Sequence, residues 1–304
     1  MKNTEEKIVN EIVEYYNEIP CNIISIYYDG GPLFHKGADF MVPLHWHNDV
    51  EINVCVDGSL VTQMDGKRVE TERDEFLIIN PGSIHGNTFS KNPFIEGEPR
   101  FIGVCLRISD TVFRKALPNF DLLKFKPIWH PETERPKEIA YELSKYGYPD
   151  SQLGKYEHIH ITSLVYELVY HMCKEDLVLK KDIISDAESR NVENMRRVMA
   201  YIENNFRNPI DEVSLAGKFG FTPTYFSRVF KKYTDISYKE YLTKTRLTAA
   251  KQQLLGTDRC VTDIAMDCGF SDVRGLISAF RKYEDITPIK YRKSVKNKIC
   301  RKNA

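Results

Sequence analysis

Phe230-Lys231-Lys232-Tyr233-Thr234-Asp235-Ile236 and Phe280-Arg281-Lys282-Tyr283-Glu284-Asp285-Ile286 are two copies of one heptapeptide fifty residues apart, and Tyr241 and Tyr291 keep the same offset. Upstream, Leu215-Ala216 precedes Phe219-Gly220-Phe221 as Ile264-Ala265 precedes Cys268-Gly269-Phe270, now at an offset of forty-nine. The second copy therefore carries one extra residue between its glycine and Phe280. A repeat of this length is one supersecondary unit used twice.

Each copy holds the parts of a helix-turn-helix, spanning about 210–233 and about 260–283. Ala216 and Ala265 allow a second helix to cross the first closely. Gly220 and Gly269 suit the left-handed backbone that ends the first helix, because a β-carbon is penalised there. Thr222 and Ser271 are expected to cap the next helix. Phe226, Val229 and Phe230, then Leu276, Ala279 and Phe280, fall at helical spacing and predict its buried face. The opposite face of the first copy carries Thr224, Ser227, Arg228 and Lys231, whose donors suit base edges and phosphates. Ser237-Tyr238-Lys239-Glu240 forms a capping box, and Thr287-Pro288 places proline at a first helical position, so a further helix follows each unit. The helix from Tyr238 to about Leu255 links the two. Reading helices held about 34 Å apart reach successive major grooves of a duplex.

The chain has 304 residues and zero formal charge, but that charge is unevenly divided. From Arg190 to the end there are 23 Lys or Arg against 12 Asp or Glu, while the rest holds 20 against 31. A basic half beside an acidic half points to a polyanion partner for the first and keeps the second away from it. The opening MKNTEEKIVNEIVEYY is charged throughout, so neither a secretory signal nor a membrane span is expected. Seven cysteines without a C-x-x-C pair are expected to be reduced thiols, consistent with a cytoplasmic location.

On these residues the segment from Asn191 to about Lys293 resembles the DNA-binding domain of the AraC/XylS family of bacterial regulators. The resemblance is carried by both units, by Asp263-Ile264 and Cys268-Gly269-Phe270-Ser271, and by Ile286-Thr287-Pro288-Ile289-Lys290-Tyr291-Arg292. It implies sequence-specific binding of double-stranded DNA, a homodimer, and RNA polymerase as a partner if the protein activates. There is one departure. The family commonly has serine-arginine on the second recognition helix where this chain has Ile277-Ser278, so Arg228 has Ser278 as its counterpart. The second unit is then expected to use Arg274, Arg281 and Lys282 on phosphates and to leave most base discrimination to the first. Gly275 within that helix costs about 1 kcal/mol relative to alanine.

The acidic half reads differently. Asn22–Tyr28, Glu51–Val56, Phe76–Ile79 and Phe101–Leu106 are short apolar or alternating runs, separated by turns at Gly30-Gly31-Pro32, Asp57-Gly58, Asp65-Gly66 and Asn80-Pro81-Gly82. They predict a small β-barrel. The signal turns helical after Ile128, and Lys155–Cys173 places Ile159, Leu164, Val165, Leu168 and Val169 on one stripe, suited either to a dimer or to packing on the barrel. The expected fold is α+β: an N-terminal cupin-like barrel with helices over 1–184, and an all-α domain of two helix-turn-helix units over 185–304.

His45-Trp46-His47, Glu51 and His85 form the second constellation. Alternation puts His45 and His47 on one strand face, with Glu51 beyond them if the strand continues. The run resembles the first cupin signature, and Gly82-Ser83-Ile84-His85 keeps part of the second, where Asp74 and Asn80 replace glycine and proline. Three imidazoles and a carboxylate could hold Zn, Mn, Fe or Ni. They could equally bind a polar effector without metal, or simply hydrogen-bond one another; Trp46 could stack on an effector or cover the barrel end. The family resemblance implies an N-terminal effector and dimerisation domain. The favoured function is an effector-responsive transcription regulator, not an enzyme. A metal-dependent cupin enzyme fused to a DNA-binding module is the alternative.

Overall fold

The computed structural model describes residues 19–28, 42–56, 59–89, 100–147 and 153–293. The turns expected at Gly30-Gly31-Pro32 and Asp57-Gly58 lie outside the described residues. Two compact units divide between Glu193 and Asn194. That point lies inside a continuous helix, Asp186–Asn205.

The first unit opens with eight strands: β1 (Cys21–Tyr28), β2 (Val42–His45), β3 (Val50–Cys55), β4 (Leu60–Met64), β5 (Lys67–Thr71), β6 (Phe76–Ile79), β7 (His85–Phe89) and β8 (Arg100–Ile108). Helix α1 (Asp110–Ala116), strands β9 (Leu123–Phe125) and β10 (Ile128–Trp129), helices α2 (Arg135–Ser144) and α3 (Glu157–Glu175), strand β11 (Leu177–Leu179) and helix α4 (Lys180–Ile183) follow. The main strands form two antiparallel sheets, ordered β1-β8-β3-β6-β10 and β2-β7-β4-β5. Among the described residues no ladder joins the two, so the expected barrel is a pair of stacked sheets.

Alternation explains the stacking. Val50, Ile52 and Val54 of β3 join Phe76, Ile78 and Leu106 in one core with Ile139 and Leu143 of α2 and Leu164, Leu168 and Met172 of α3. The other face of the same sheet sends Leu77 and Ile79 against Leu60 and Met64 of β4 in the second sheet. Because both faces are covered, Phe76-Leu77-Ile78-Ile79 is apolar without interruption, and all four residues are buried. The stripe expected on the long helix is buried at Leu164, Val165, Leu168 and Val169, but Ile159 is 59% exposed and is not part of it.

Asn80, where the cupin signature has proline, does what proline cannot. Its carboxamide donates to the Phe125 carbonyl and accepts from the Phe125 amide, both at 2.9 Å, and so acts as a strand edge for β9. Strand β9 pairs in turn with β11, and Asp176 accepts the Lys126 amide at 2.9 Å.

The second unit is helical: the end of α5 (Asp186–Asn205), then α6 (Glu212–Lys218), α7 (Pro223–Thr234), α8 (Tyr238–Gly256), α9 (Val261–Asp267) and α10 (Val273–Glu284). The repeat is visible bond by bond. Gly220 and Gly269 adopt φ of 74° and 81°, and the Phe221 and Phe270 amides donate back to the Ala216 and Ala265 carbonyls. Asp235 and Asp285 end α7 and α10 in the left-handed conformation. Thr222 caps α7 as expected, but Asp272, not Ser271, caps α10, accepting the Gly275 amide at 2.8 Å. Ser271 is therefore the extra residue, and α7 and α10 correspond one to one at an offset of fifty.

Helix α8 packs against both helix-turn-helix repeats. Tyr238 and Tyr241 meet Phe226 and Phe230 edge-on, while Leu247, Ala250 and Leu254 share a core with Ile264, Leu276 and Phe280. Its start is capped by the Ser237 hydroxyl, which accepts the Glu240 amide at 3.2 Å. Among the described residues no helix is long and apolar enough to cross a membrane.

Candidate functional site

The exposed face of α7 carries Thr224, Ser227, Arg228 and Lys231, all of them exposed as the helical period requires. Arg228 lies 5.3 Å from the centroid of the Tyr225 ring, a contact that steadies the guanidinium without consuming its donors. On α10, Arg274, Ser278, Arg281 and Lys282 are likewise exposed. The Lys282 ammonium donates to the Tyr283 hydroxyl at 2.8 Å, so it is folded back onto its own unit. Three other cations of the helical unit are also engaged: Arg292 donates to the Leu254 and Arg259 carbonyls, Arg259 pairs with Asp267, and Lys251 with Glu284 at 3.1 Å.

In the first unit His45, His47, Glu51 and His85 are all buried, and their ligand atoms lie within 4.8 Å of one another. The route differs from one continuous strand. Strand β2 ends at His45 and the chain crosses to the facing sheet over Trp46–Asp49, so Glu51 arrives from β3. His45 and His85 are register partners on β2 and β7 with ring centroids 4.2 Å apart, and His47 joins them from the crossover. Trp46 is half-buried and is not one of the four converging groups.

Hydrogen bonding fixes the imidazoles. Nδ1 of His47 is 3.2 Å from the Asp49 carbonyl and Nδ1 of His85 is 2.9 Å from the Ser83 carbonyl. A carbonyl only accepts, so each Nδ1 carries a proton, and both Nε2 atoms turn toward Glu51, at 3.0 and 3.5 Å. His85 Nε2 is fully buried without a hydrogen-bond partner. Burial alone would raise the Glu51 carboxyl, but the His85 and His47 rings hold it well below the usual carboxylate range. Burial lowers His85, and the Glu51 carboxylate more than offsets it, so its pKa is raised. Two imidazole lone pairs facing a carboxylate need positive charge between them, from added protons or a metal cation.

The donor set fits a cation. Donors around an ion at about 2.1 Å lie roughly 3 to 4.2 Å apart, close to the spacing observed here. Outer contacts of the kind that orient ligands are also present: the two backbone carbonyls on Nδ1, and the Asn53 amide donating to Glu51 Oε1 at 2.7 Å. Sequence reading missed Asn53. It also missed Thr62 and Asn87, buried and bonded to each other at 2.7 Å, and Arg107, buried and in register with Glu51. The available signal was a polar residue two positions from Glu51 in an apolar strand. Asn87 gave none, because His85-Gly86-Asn87-Thr88-Phe89 has no strand pattern.

The chain thus has two parts: stacked sheets with a buried polar cluster, followed by a repeated helix-turn-helix. A family profile described as "Helix-turn-helix domain" matches residues 215–294, and one described as "AraC-like ligand binding domain" matches residues 33–94. Over these two segments the chain is similar to AraC-type helix-turn-helix regulators. It is 34% identical over 102 residues to the uncharacterized HTH-type transcriptional regulator YijO of Escherichia coli (strain K12), covering 34% of this chain and 36% of that one. It is 30% identical over 112 residues to the HTH-type transcriptional activator RhaS of Citrobacter koseri, covering 37% of this chain and 40% of that one. The match thus spans about two fifths or less of these curated relatives. Among solved structures, the C-terminal domain of the two-component response regulator yesN of Fusobacterium nucleatum shares 33% identity over 33% of this chain and 98% of that one, with a TM-score of 0.32.

Proposed function

We propose that the protein is a DNA-binding transcription regulator of the cytoplasm whose N-terminal unit binds a small effector. The observation that carries the DNA-binding part is the one-to-one correspondence of α7 and α10, each with its apolar face buried and a polar, cationic face exposed, held on the single connector α8. The net positive charge of this half supplies the phosphate attraction. Selection from a random duplex pool by the full chain tests it. The expected product is a two-part site with centres about one helical turn apart. Arg228→Ala should relax one base position in one part, by about 1 to 3 kcal/mol. A pool that enriches no sequence would overturn the reading.

For the first unit we propose a divalent cation held by His45, His47, Glu51 and His85. Buried ligand atoms all within 4.8 Å of one another suit a single ion better than an organic molecule. A bound cation would act as a Lewis acid, and an anionic or hydroxyl-bearing effector could take its remaining coordination positions.

A homodimer is supported by the solvent face of α3, where Ile159, Tyr166 and Tyr170, with Tyr156 at the N-cap, are 59, 48, 61 and 65% exposed, successive residues from Tyr156 to Tyr170 lying three, seven and four positions apart. Monomeric proteins rarely leave such a stripe uncovered. Ile159→Glu with Tyr166→Glu should convert a dimer to a folded monomer in sedimentation equilibrium. A wild-type chain that sediments as a monomer at micromolar concentration would remove this assignment.

A further inference from the structure

We infer that Arg274 is the base-reading arginine of the second helix-turn-helix unit, an assignment that rests on the DNA-binding reading above. The sequence expectation assigned Arg274 to a phosphate because the position equivalent to Arg228 is Ser278. The capping found in the structure keeps that pairing and extends it along the whole helix. Since Thr222 corresponds to Asp272 and Asp235 to Asp285, the solvent stripe Thr224–Arg228–Lys231 of α7 is matched residue for residue by Arg274–Ser278–Arg281 of α10.

Residues four apart lie on one helix face, so the arginine has not left the stripe. It has moved one turn, about 6 Å, toward the N-terminal end of its helix. That end of a recognition helix points at base edges, while its later turns run along the backbone. Arg274 is the second residue of α10, and Arg281 lies in its last turn. Ser278, one turn on from Arg274, is short enough to leave the guanidinium room, and Gly275 beside it has no side chain. A β-carbon on Gly275 would meet nothing closer than Phe270 Cδ1 at 3.5 Å.

Availability separates the three cations of α10. Lys282 is bonded to the Tyr283 hydroxyl. Arg274 and Arg281 are exposed and make no hydrogen bond or ion pair among the described residues. A free guanidinium at the N-terminal turn has the fork geometry for guanine O6 and N7, and one at the last turn is placed for phosphate. The two units then read with the same chemical group at different depths along their helices. Their two half-sites are therefore not copies of one another.

The experiment is the same duplex-pool selection, run with the full-length wild type, Arg274→Ala, Arg274→Lys and Arg281→Ala, with thermal melts confirming that each variant folds. Arg274→Ala is expected to recover a consensus that has lost one G·C preference in one half-site only, and to bind the wild-type site about 10- to 100-fold more weakly. Arg274→Lys should lose the same preference while keeping the wild-type salt slope, because charge is retained and the fork is not. Arg281→Ala should recover the wild-type consensus and lower the salt slope by about 0.9. The assignment falls if Arg274→Ala recovers the unchanged consensus with a uniform loss of affinity. A wild-type chain that enriches no site removes the regulator reading and this assignment together.

Discussion

Gly269→Ala destabilises the helical half by about 3 to 5 kcal/mol, whereas the matching Gly220→Ala costs about 1 to 2. Both glycines have positive φ, so both substitutions incur the left-handed penalty of an L side chain. Their surroundings separate them. A β-carbon on Gly220 would meet nothing within 4 Å, but on Gly269 it would lie 2.5 Å from the Phe206 carbonyl oxygen and 2.8 Å from that of Arg207. These are backbone atoms and cannot rotate away. They are also pinned, since the Arg246 guanidinium donates to the Phe206 carbonyl at 2.8 Å and to the Asn208 carbonyl at 3.0 Å. Urea unfolding of the full chain, followed by helical ellipticity, reads the difference. Equal losses for the two variants would show that the loop after α5 does not press on the second turn.

Glu51→Gln should weaken divalent-metal binding by more than about 100-fold, beyond what loss of an outer contact costs. The carboxylate is the only anion among the four donors and faces two histidine Nε2 atoms, so the substitution removes the charge that offsets the cation. Zn2+ or Mn2+ added to the EDTA-treated full chain at about a hundred times its dissociation constant should stabilise the first unit by roughly 2.7 kcal/mol. The variant should show no such rise, while Asn53→Ala, which leaves all four ligands in place, should show a reduced one. Elemental analysis supplies the count. If the wild type neither retains metal nor gains stability from it, the cluster is a hydrogen-bonded core element and the cation proposal fails.

Much of the helical half was legible because its determinants are local. Gly220 and Gly269 sit at turns only a left-handed residue can make, and Phe226, Phe230, Leu276 and Phe280 mark buried faces by period alone. The cap at α10 was misplaced by one residue because Ser271 and Asp272 are both good caps, and only the actual start of the helix selects between them. In the sheet half, local signals carried less. The runs at β1, β3, β6 and β8 were readable, and a strand was read at His45, whereas β4, β5 and β7 were not recognised as strands, and the second sheet was missed with them. His45, His47, Glu51 and His85 were identified by spacing, but the reason given for their convergence, one continuous strand, was wrong.

The sequence alone determined the repeat, its turns, its buried faces and the four polar residues of the first unit, since each depends on neighbours within a few positions. Tertiary structure decided what depends on residues far apart in the chain. It brought Glu51 to the histidines from a facing sheet, placed Asn80 on Phe125, and pressed the backbone of Phe206 and Arg207 against Gly269. It also decided which face of α3 is buried, because periodicity marks an apolar stripe but not the surface that covers it. Period and turn chemistry are short-range properties of a chain, while sheet stacking and close backbone approach are set by long-range packing that no local window contains.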